Sequence, residues 1–310
     1  MESEGICILG AGSIGMALAV HLANSGRRVT AVRTSTDDFE PQYIEVTVSG
    51  SSERIFSSRV EMVSLARLTR LAGIIVIAAK SYANRVIASR LRQMEILAPV
   101  VIMQNGVGVE NPYLDLPALR VYRCVLYATG QKNGEGSYTF IPVTASPIGV
   151  VRGTRQELLY LVGALNTGEF PFAAQGDILQ QVWKKATINS VFNSICTLLE
   201  TDNGIFIRNE KAAQLAREVV DECVAVMQAL GFGQSADDIM EQLFAISTRS
   251  DGQLISTLQD VNNGRDTEID QLNLEIARIG RTLSPPVQAN TTRVLGEMVR
   301  IKSMLRQKPG

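Results

Sequence analysis

Histidine is almost absent from this chain: its 310 residues include one, His21. Acid–base chemistry must therefore use some other side chain, and no metal site is expected. His21 lies one turn from the end of a predicted helix and reads as structural. Cysteine is sparse as well. Cys7, Cys124, Cys196 and Cys223 are far apart, with no CxxC pair and no neighbouring histidine. That excludes a disulfide framework and predicts reduced, buried thiols in a cytoplasmic protein. No apolar run approaches the roughly 20 residues that span a bilayer. The first strand begins almost at the N-terminus, so no signal peptide is expected. An excess of one charge is also missing, with 30 Lys+Arg against 31 Asp+Glu, which argues against nucleic acid or a membrane surface as partner. What is present is 45% hydrophobic residues in a chain longer than one core usually serves. Two soluble globular domains are expected. There are no repeats, and Gln307-Lys308-Pro309-Gly310 should fray.

The most informative segment is Gly10-Ala11-Gly12-Ser13-Ile14-Gly15. It follows the apolar stretch Gly5–Leu9 and opens a helical pattern from Ile14 to Leu22, the strand-turn-helix setting of a dinucleotide fingerprint. Gly10 would allow the tight turn, Gly12 the approach of a pyrophosphate, and Gly15 close packing of helix on strand. The turn, with Ser13 and Ile14 at the helix N-terminus, is the expected cofactor cradle. The next strand, Val29–Arg33, ends in a cation where an NAD site would carry an acid. Thr34, Ser35 and Thr36 follow, and no carboxylate comes before Asp37. A cation with hydroxyls suits a 2′-phosphate, so NADP(H) is the expected cofactor. The bland alternative is a glycine turn in an α/β domain that binds nothing.

Further on, Ile44–Val48 and Arg54–Phe56 read as a hairpin around Gly50-Ser51-Ser52. Ile74–Ala78, ending at Lys80, and Val100–Met103, ending at Gln104-Asn105-Gly106, suit strands buried on both faces, with a helix over Ala83–Met94 between them. Arg120–Ala128 and Gly136–Ile141 predict more strands, and Ser146–Val151 closes the sheet. Thr154–Leu165 predicts a crossover helix. This is a doubly wound Rossmann-type α/β domain, whose ligands bind beyond the carboxyl ends of the strands. Lys80 and Asn105 fall there, either as functional groups or as ordinary strand-to-loop polar residues. From Asp177 onward the pattern is helical, so the boundary is placed near Ala174-Gln175-Gly176, giving domains 1–174 and 175–310. The long apolar helices of the second could form a homodimer interface or only a core.

In that second domain Lys185, Asn189 and Asn193 recur at four-residue spacing on a predicted helix, beside an apolar stripe of Ile188, Phe192, Ile195 and Leu199. The polar stripe either faces solvent or does chemistry. Against the solvent reading, the helix from Ala186 to Leu198 is otherwise uncharged, and two asparagines kept despite poor helix propensity suggest donors and acceptors; pattern alone leaves both readings open. Thr267 and Glu268 open a helical stretch through Ile276. Spacing alone reads Glu268 as a carboxylate at a helix N-terminus.

Together these residues resemble the ketopantoate reductase family over nearly the whole chain. The landmarks are GAGSIG, the strand ending in Arg33, AAKSY at 78–82, QNGVG at 104–108, WKKATINSVFN at 183–193 and STLQDVNNGRDTEID at 256–270. The resemblance implies a Rossmann domain followed by an all-α domain, with the active site in the cleft between them. It implies reduction of a 2-keto acid by NADPH, with Lys185 as the acid and Glu268 binding substrate and orienting the lysine. It further implies that Asn189, Asn193 and Ser256 bind substrate, that Lys80 and Asn105 serve the cofactor side of the site, and that Arg33 meets the NADP phosphate. Asn105 is expected to reach substrate as well.

The sequence departs from the family pattern at Gln253-Leu254-Ile255, at Asn273-Leu274 and at Ser284-Pro285-Pro286. The first two could alter the substrate pocket, so a different 2-keto acid is the nearest alternative. A non-catalytic dinucleotide-sensing protein and a flavin-binding one are alternatives of other classes.

Overall fold

The computed structural model describes residues 5–35, 38–50, 54–94, 96 and 98–307. Thr36, Asp37, Ser51, Ser52 and residues 308–310, named above, lie outside them. The chain forms two compact units. Residues 1–104 and 109–179 make the first, and residues 105–108 and 180–310 the second.

In chain order the first unit contains β1 (Ile6–Leu9), α1 (Ser13–Asn24), β2 (Val29–Arg33), β3 (Gln42–Ser49), β4 (Ile55–Ser64) and β5 (Ile74–Ile77). It continues with α2 (Asn84–Arg92), β6 (Val100–Ile102), α3 (Asn111–Leu114), β7 (Val121–Cys124), β8 (Ala128–Gly134) and β9 (Ser137–Pro142). β10 (Ser146–Arg152), α4 (Arg155–Leu165) and β11 (Phe172–Ala174) complete it. Among the described residues these eleven strands form one sheet, ordered β11-β10-β7-β6-β5-β1-β2-β4-β3-β9-β8.

The pleat explains why the central strands are apolar throughout. Successive side chains of β1 point to opposite faces. Ile6 and Ile8 join a core with Met16, Leu18 and Leu22 of α1 and Leu158, Leu161 and Leu165 of α4. Cys7 and Leu9 join a second core with Ile87 and Leu91 of α2 and with Tyr113. Each such aliphatic side chain contributes roughly 1.5–3 kcal/mol when fully buried. The α1 helix is apolar all round, as buried helices are, because β3, β4, β8 and β9 also pack on it. His21 sits there, 4% exposed, with its ring 4.9 Å from Phe56 and 5.8 Å from Phe140.

Three strand expectations change. The run Arg120–Ala128 breaks after Cys124, and its second part begins β8 at the far end of the sheet, beside β9. β10 does not close the sheet either; β11 pairs outside it. β4 is also longer than Arg54–Phe56, because its second half, through Ser64, runs parallel to β2.

The second unit is helical: α5 (Ile178–Val191, whose first two residues belong to the first unit), a π-helical segment (Phe192–Cys196), α6 (Thr197–Leu199), α7 (Ile205–Arg208), α8 (Glu210–Ala229), α9 (Ala236–Arg249), α10 (Ser256–Asn262), α11 (Asn273–Thr282) and α12 (Asn290–Arg306). Glu222 of α8 accepts from the backbone N–H groups of Thr291 and Thr292 at 2.9 and 2.8 Å, so a carboxylate satisfies the first turn of α12. Buried Asn273 donates to Ser190 O and Thr292 O, tying α11 to α5 and α12. The π turn shifts the register of the apolar stripe. Ile188, Phe192 and Ile195 are buried, but Leu199 is 56% exposed. No helix among the described residues is long and apolar enough to cross a membrane.

All four cysteines are free and buried. Burial pushes the thiols of Cys7, Cys196 and Cys223 up to about 12, which leaves them unreactive. Burial also lowers the His21 pKa below 6.5, with Glu169 pulling weakly the other way. The unfolded chain then binds a proton at a higher pH than the folded one. Stability should fall as pH drops below about 6.5 toward the folded pKa. In tag-free protein the single imidazole resonance should titrate below 6.5, and His21→Phe should flatten the loss of thermal stability between about pH 7.5 and 5.5. Titration at or above 6.5 would contradict the assignment.

Candidate active site

The glycine turn is built by close approach. Gly10 has φ +125°, and a Cβ there would lie 2.2 Å from Ala79 N. A Cβ on Gly15 would lie 2.0 Å from Gly10 O, so glycine is what lets α1 start against its own strand. Gly12 differs, because a Cβ there would meet nothing within 4 Å. It is the N-cap of α1, and no side chain caps the helix. The turn thus presents open space at a helix N-terminus whose amides no side chain has claimed, which fits a pyrophosphate. The Ser13 hydroxyl donates to Gly130 O at 3.1 Å and the Ile14 side chain packs on the core, so both face that space through their backbone.

Arg33 ends β2, exposed, with its guanidinium 5.4 Å from the centroid of the Phe39 ring. The first described carboxylate after it, Asp38, is already engaged. Arg67 Nε donates to it at 2.6 Å and Ser64 Oγ at 3.1 Å, and Arg67 holds its carboxyl below the usual range. Lys80 follows β5, exposed, as the N-cap of a single 3₁₀ turn over Ser81–Ala83.

In the helical unit one amide joins two charged groups. The Lys185 ammonium donates to Asn105 Oδ1 at 2.9 Å, and Asn105 Nδ2 donates to Glu268 Oε2 at 3.2 Å. All three side chains are half-buried. The sequence expected Asn105 to serve both the cofactor side and the substrate; the structure joins it to Lys185 and Glu268. The NGVG glycines carried a signal that was not used. Gly106 has φ +94°, a Cβ there would lie 2.4 Å from Gln271 O, and Val107 N donates to that same oxygen at 2.9 Å. Gln271, which sequence reasoning missed, therefore seats the segment beside Glu268.

Glu268 does not open a continuous helix. It precedes a 3₁₀ turn, Ile269–Gln271, and Leu272 breaks the chain at φ −109°, ψ −105° before α11 begins. That kink lets the carboxylate and the Gln271 carbonyl serve the same short segment.

Asn189 is half-buried one turn beyond Lys185. Asn193 is 5% exposed inside the π segment, and its Oδ1 is buried without a hydrogen-bond partner. The solvent-face alternative therefore fails for Asn193. An orphaned acceptor on a π turn is a common mark of a functional position. Ser256 is exposed in the first turn of α10, which packs on the π segment. Of the two departures feared for the pocket, Leu274 is spent on packing, since a Cβ on Gly296 would lie 2.9 Å from its Cδ2. Gln253 is exposed, and its carbonyl accepts from Asn203 N at 2.9 Å.

A cavity of about 580 Å³ lies elsewhere in the sheet unit, lined by residues including Gly73, Pro99 and Arg120. These precede β5, β6 and β7, so it opens at the amino ends of the strands, the wrong end for a ligand of this sheet.

The family model described as "Ketopantoate reductase PanE/ApbA" matches residues 6–143, and "Ketopantoate reductase PanE/ApbA C terminal" matches residues 177–302. The 2-dehydropantoate 2-reductase of Pyrococcus abyssi is 27% identical, over 98% of this chain and 99% of its own. Among solved structures, a PanE/ApbA family ketopantoate reductase from Ralstonia eutropha JMP134 superposes with a TM-score of 0.83 at 23% identity, covering 98% of this chain and 100% of its own. D-mandelate dehydrogenase, solved with NADH and anilino(oxo)acetate, superposes at 0.82 with 18% identity, over 97% of this chain and 99% of its own.

The geometry of the turn separates folding from binding. Gly12→Ser should fold with an unchanged or raised melting temperature, since serine caps helices well. The new hydroxyl would occupy the amides, so affinity for NADPH and NADH alike should fall about tenfold or more. A fluorescence titration showing unchanged affinity would remove the turn from the cofactor site.

Proposed function

The chain belongs to the ketopantoate reductase family, and from that premise we propose that it reduces 2-dehydropantoate to (R)-pantoate with NADPH, in pantothenate and coenzyme A biosynthesis. The observation that carries this reading is the Lys185–Asn105–Glu268 chain, an ammonium held in place by an amide that a carboxylate orients in turn. In this reading residues 1–174 form the dinucleotide-binding domain, and residues 175–310, joined by Asn105, carry the catalytic groups.

Reducing a ketone adds a hydride to carbon and a proton to oxygen. The reduced nicotinamide, when bound, supplies the hydride. The protein has to stabilise negative charge growing on the ketone oxygen and then protonate it. An ammonium does both, and Lys185 supplies it without histidine. Glu268, through Asn105, fixes where Nζ sits. Asn189, Asn193 and Ser256 are assigned to the rest of the 2-keto acid, with the unpartnered Asn193 Oδ1 available to accept from a substrate hydroxyl. Gly10, Gly12, Ser13, Ile14, Gly15 and Lys80 are assigned to the dinucleotide. Arg33 is assigned to the 2′-phosphate. Two observations support NADP over NAD: Arg33 is exposed at the end of β2, and the Asp38 carboxylate is engaged by Arg67.

The direct test is nicotinamide oxidation with ketopantoate and a panel of other 2-keto acids, using NADPH and NADH in parallel. Ketopantoate with NADPH should turn over fastest. A faster 2-keto acid would keep the scaffold and replace the substrate. Lys185→Ala should retain dinucleotide binding while kcat drops by about 10²–10⁴; persistent turnover would show that another group is the acid. Arg33→Ala should raise KM for NADPH far more than for NADH, and equal losses would refute the phosphate assignment.

A further inference from the structure

Asn105 lies in a four-residue segment, Asn105–Gly108, flanked by Gln104 and Val109. Both flanks are held by one buried side chain at the start of α2. Asn84, 5% exposed, donates from Nδ2 to Gln104 Oε1 at 2.9 Å and to Val109 O at 3.1 Å. Its Oδ1 accepts from Gln104 Nε2 at 2.7 Å and from Tyr113 OH at 3.0 Å. An asparagine amide has two donor hydrogens and two acceptor lone pairs, and all four are used here. Gln104 is fixed further by donation from Nε2 to Ala79 O at 2.7 Å, and its own carbonyl accepts from buried Arg123 at 3.2 Å. Arg123 in turn pairs with Glu110, one residue beyond Val109, at 3.0 Å. This polar cluster fixes the distance and direction at which the chain leaves and re-enters around Asn105.

We propose that Asn84 is a positioning residue for the reduction. It clamps the two ends of the 105–108 segment so that the Asn105 amide is presented to Lys185 and Glu268. The inference rests on the reading of Lys185, Asn105 and Glu268 given above. Asn84 touches neither substrate nor reacting atoms in this account; it acts only through Asn105. Its whole hydrogen-bonding capacity goes to Tyr113 and to the two residues that bracket the segment.

The test is a double-mutant cycle on full-length enzyme with NADPH and ketopantoate. Asn105→Ala should lower kcat strongly. Asn84→Ala should lower kcat about tenfold or more while KM for NADPH stays within about twofold, and adding it to Asn105→Ala should cost no further activity. Tyr113→Phe, which removes a single bond to Asn84, should give a smaller kcat loss that also vanishes in the Asn105→Ala background. It serves as the gentler variant if Asn84→Ala folds poorly. Losses that multiply in the double variants, or a loss confined to melting temperature, would overturn the inference. If Asn105→Ala turned over like the wild type, the reading of the three-residue chain would fall, and the inference with it.

Discussion

An amide carries its donor and its acceptor on separate atoms, so Asn105 can hold an ammonium with one and a carboxylate with the other. The rest of the site depends on that division. Aspartate in its place would lose the donor toward Glu268 and set two carboxylates side by side. A shorter hydroxyl would have to serve both partners from one atom. The chain spends much on keeping this amide where it is: two glycines at positive φ in four residues, a carbonyl from a broken helix, and a buried cluster at the flanks. Lys185 itself sits on a long, well-packed helix. Its setting is therefore decided less by its own backbone than by the short segment brought against it.

The sheet unit solves a different problem. Its glycine turn leaves the first amides of α1 without a side-chain cap, an arrangement that costs stability unless water or a ligand pairs with them. The helix tolerates this because its remaining surface is buried on all sides, by the central strands and by β3, β4, β8 and β9. An all-apolar helix such as Gly15–Leu22 would be a liability on an exposed face. Here β3, β4, β8 and β9 pack on it, and His21 is packed in as one more ring rather than as a base.

Much of this was legible in the sequence. The apolar runs Ile6–Leu9, Ile74–Ile77 and Val100–Ile102 are short and rich in β-branched residues, which suits strands buried on both faces. The glycine turn carried its own context. What was not legible depends on contacts between residues distant in the chain. Nothing local in Ala128–Gly134 says that it leaves the neighbourhood of β7 for the opposite edge of the sheet. The π turn at Phe192–Cys196 adds a residue to a helix whose periodicity looks regular, and it turned Leu199 outward and Asn193 inward. Asn105 was expected on both the cofactor and the substrate side, but its bonds to Lys185 and Glu268 were not foreseen, since a four-residue excursion leaves no trace in hydrophobic pattern. Glu268 looked like an ordinary helix start because the break at Leu272 has no glycine or proline to announce it.

The strand order also sets a timetable. β9 pairs in parallel with β3, Thr47 opposite Ser137, and Gly130 of β8 closes over Ser13 at the start of α1. During synthesis the first half of the sheet must therefore wait, with the outer edge of β3 unpaired, until nearly a hundred further residues have left the ribosome. The turn and helix that follow β1 are therefore made well before the strands that cover them.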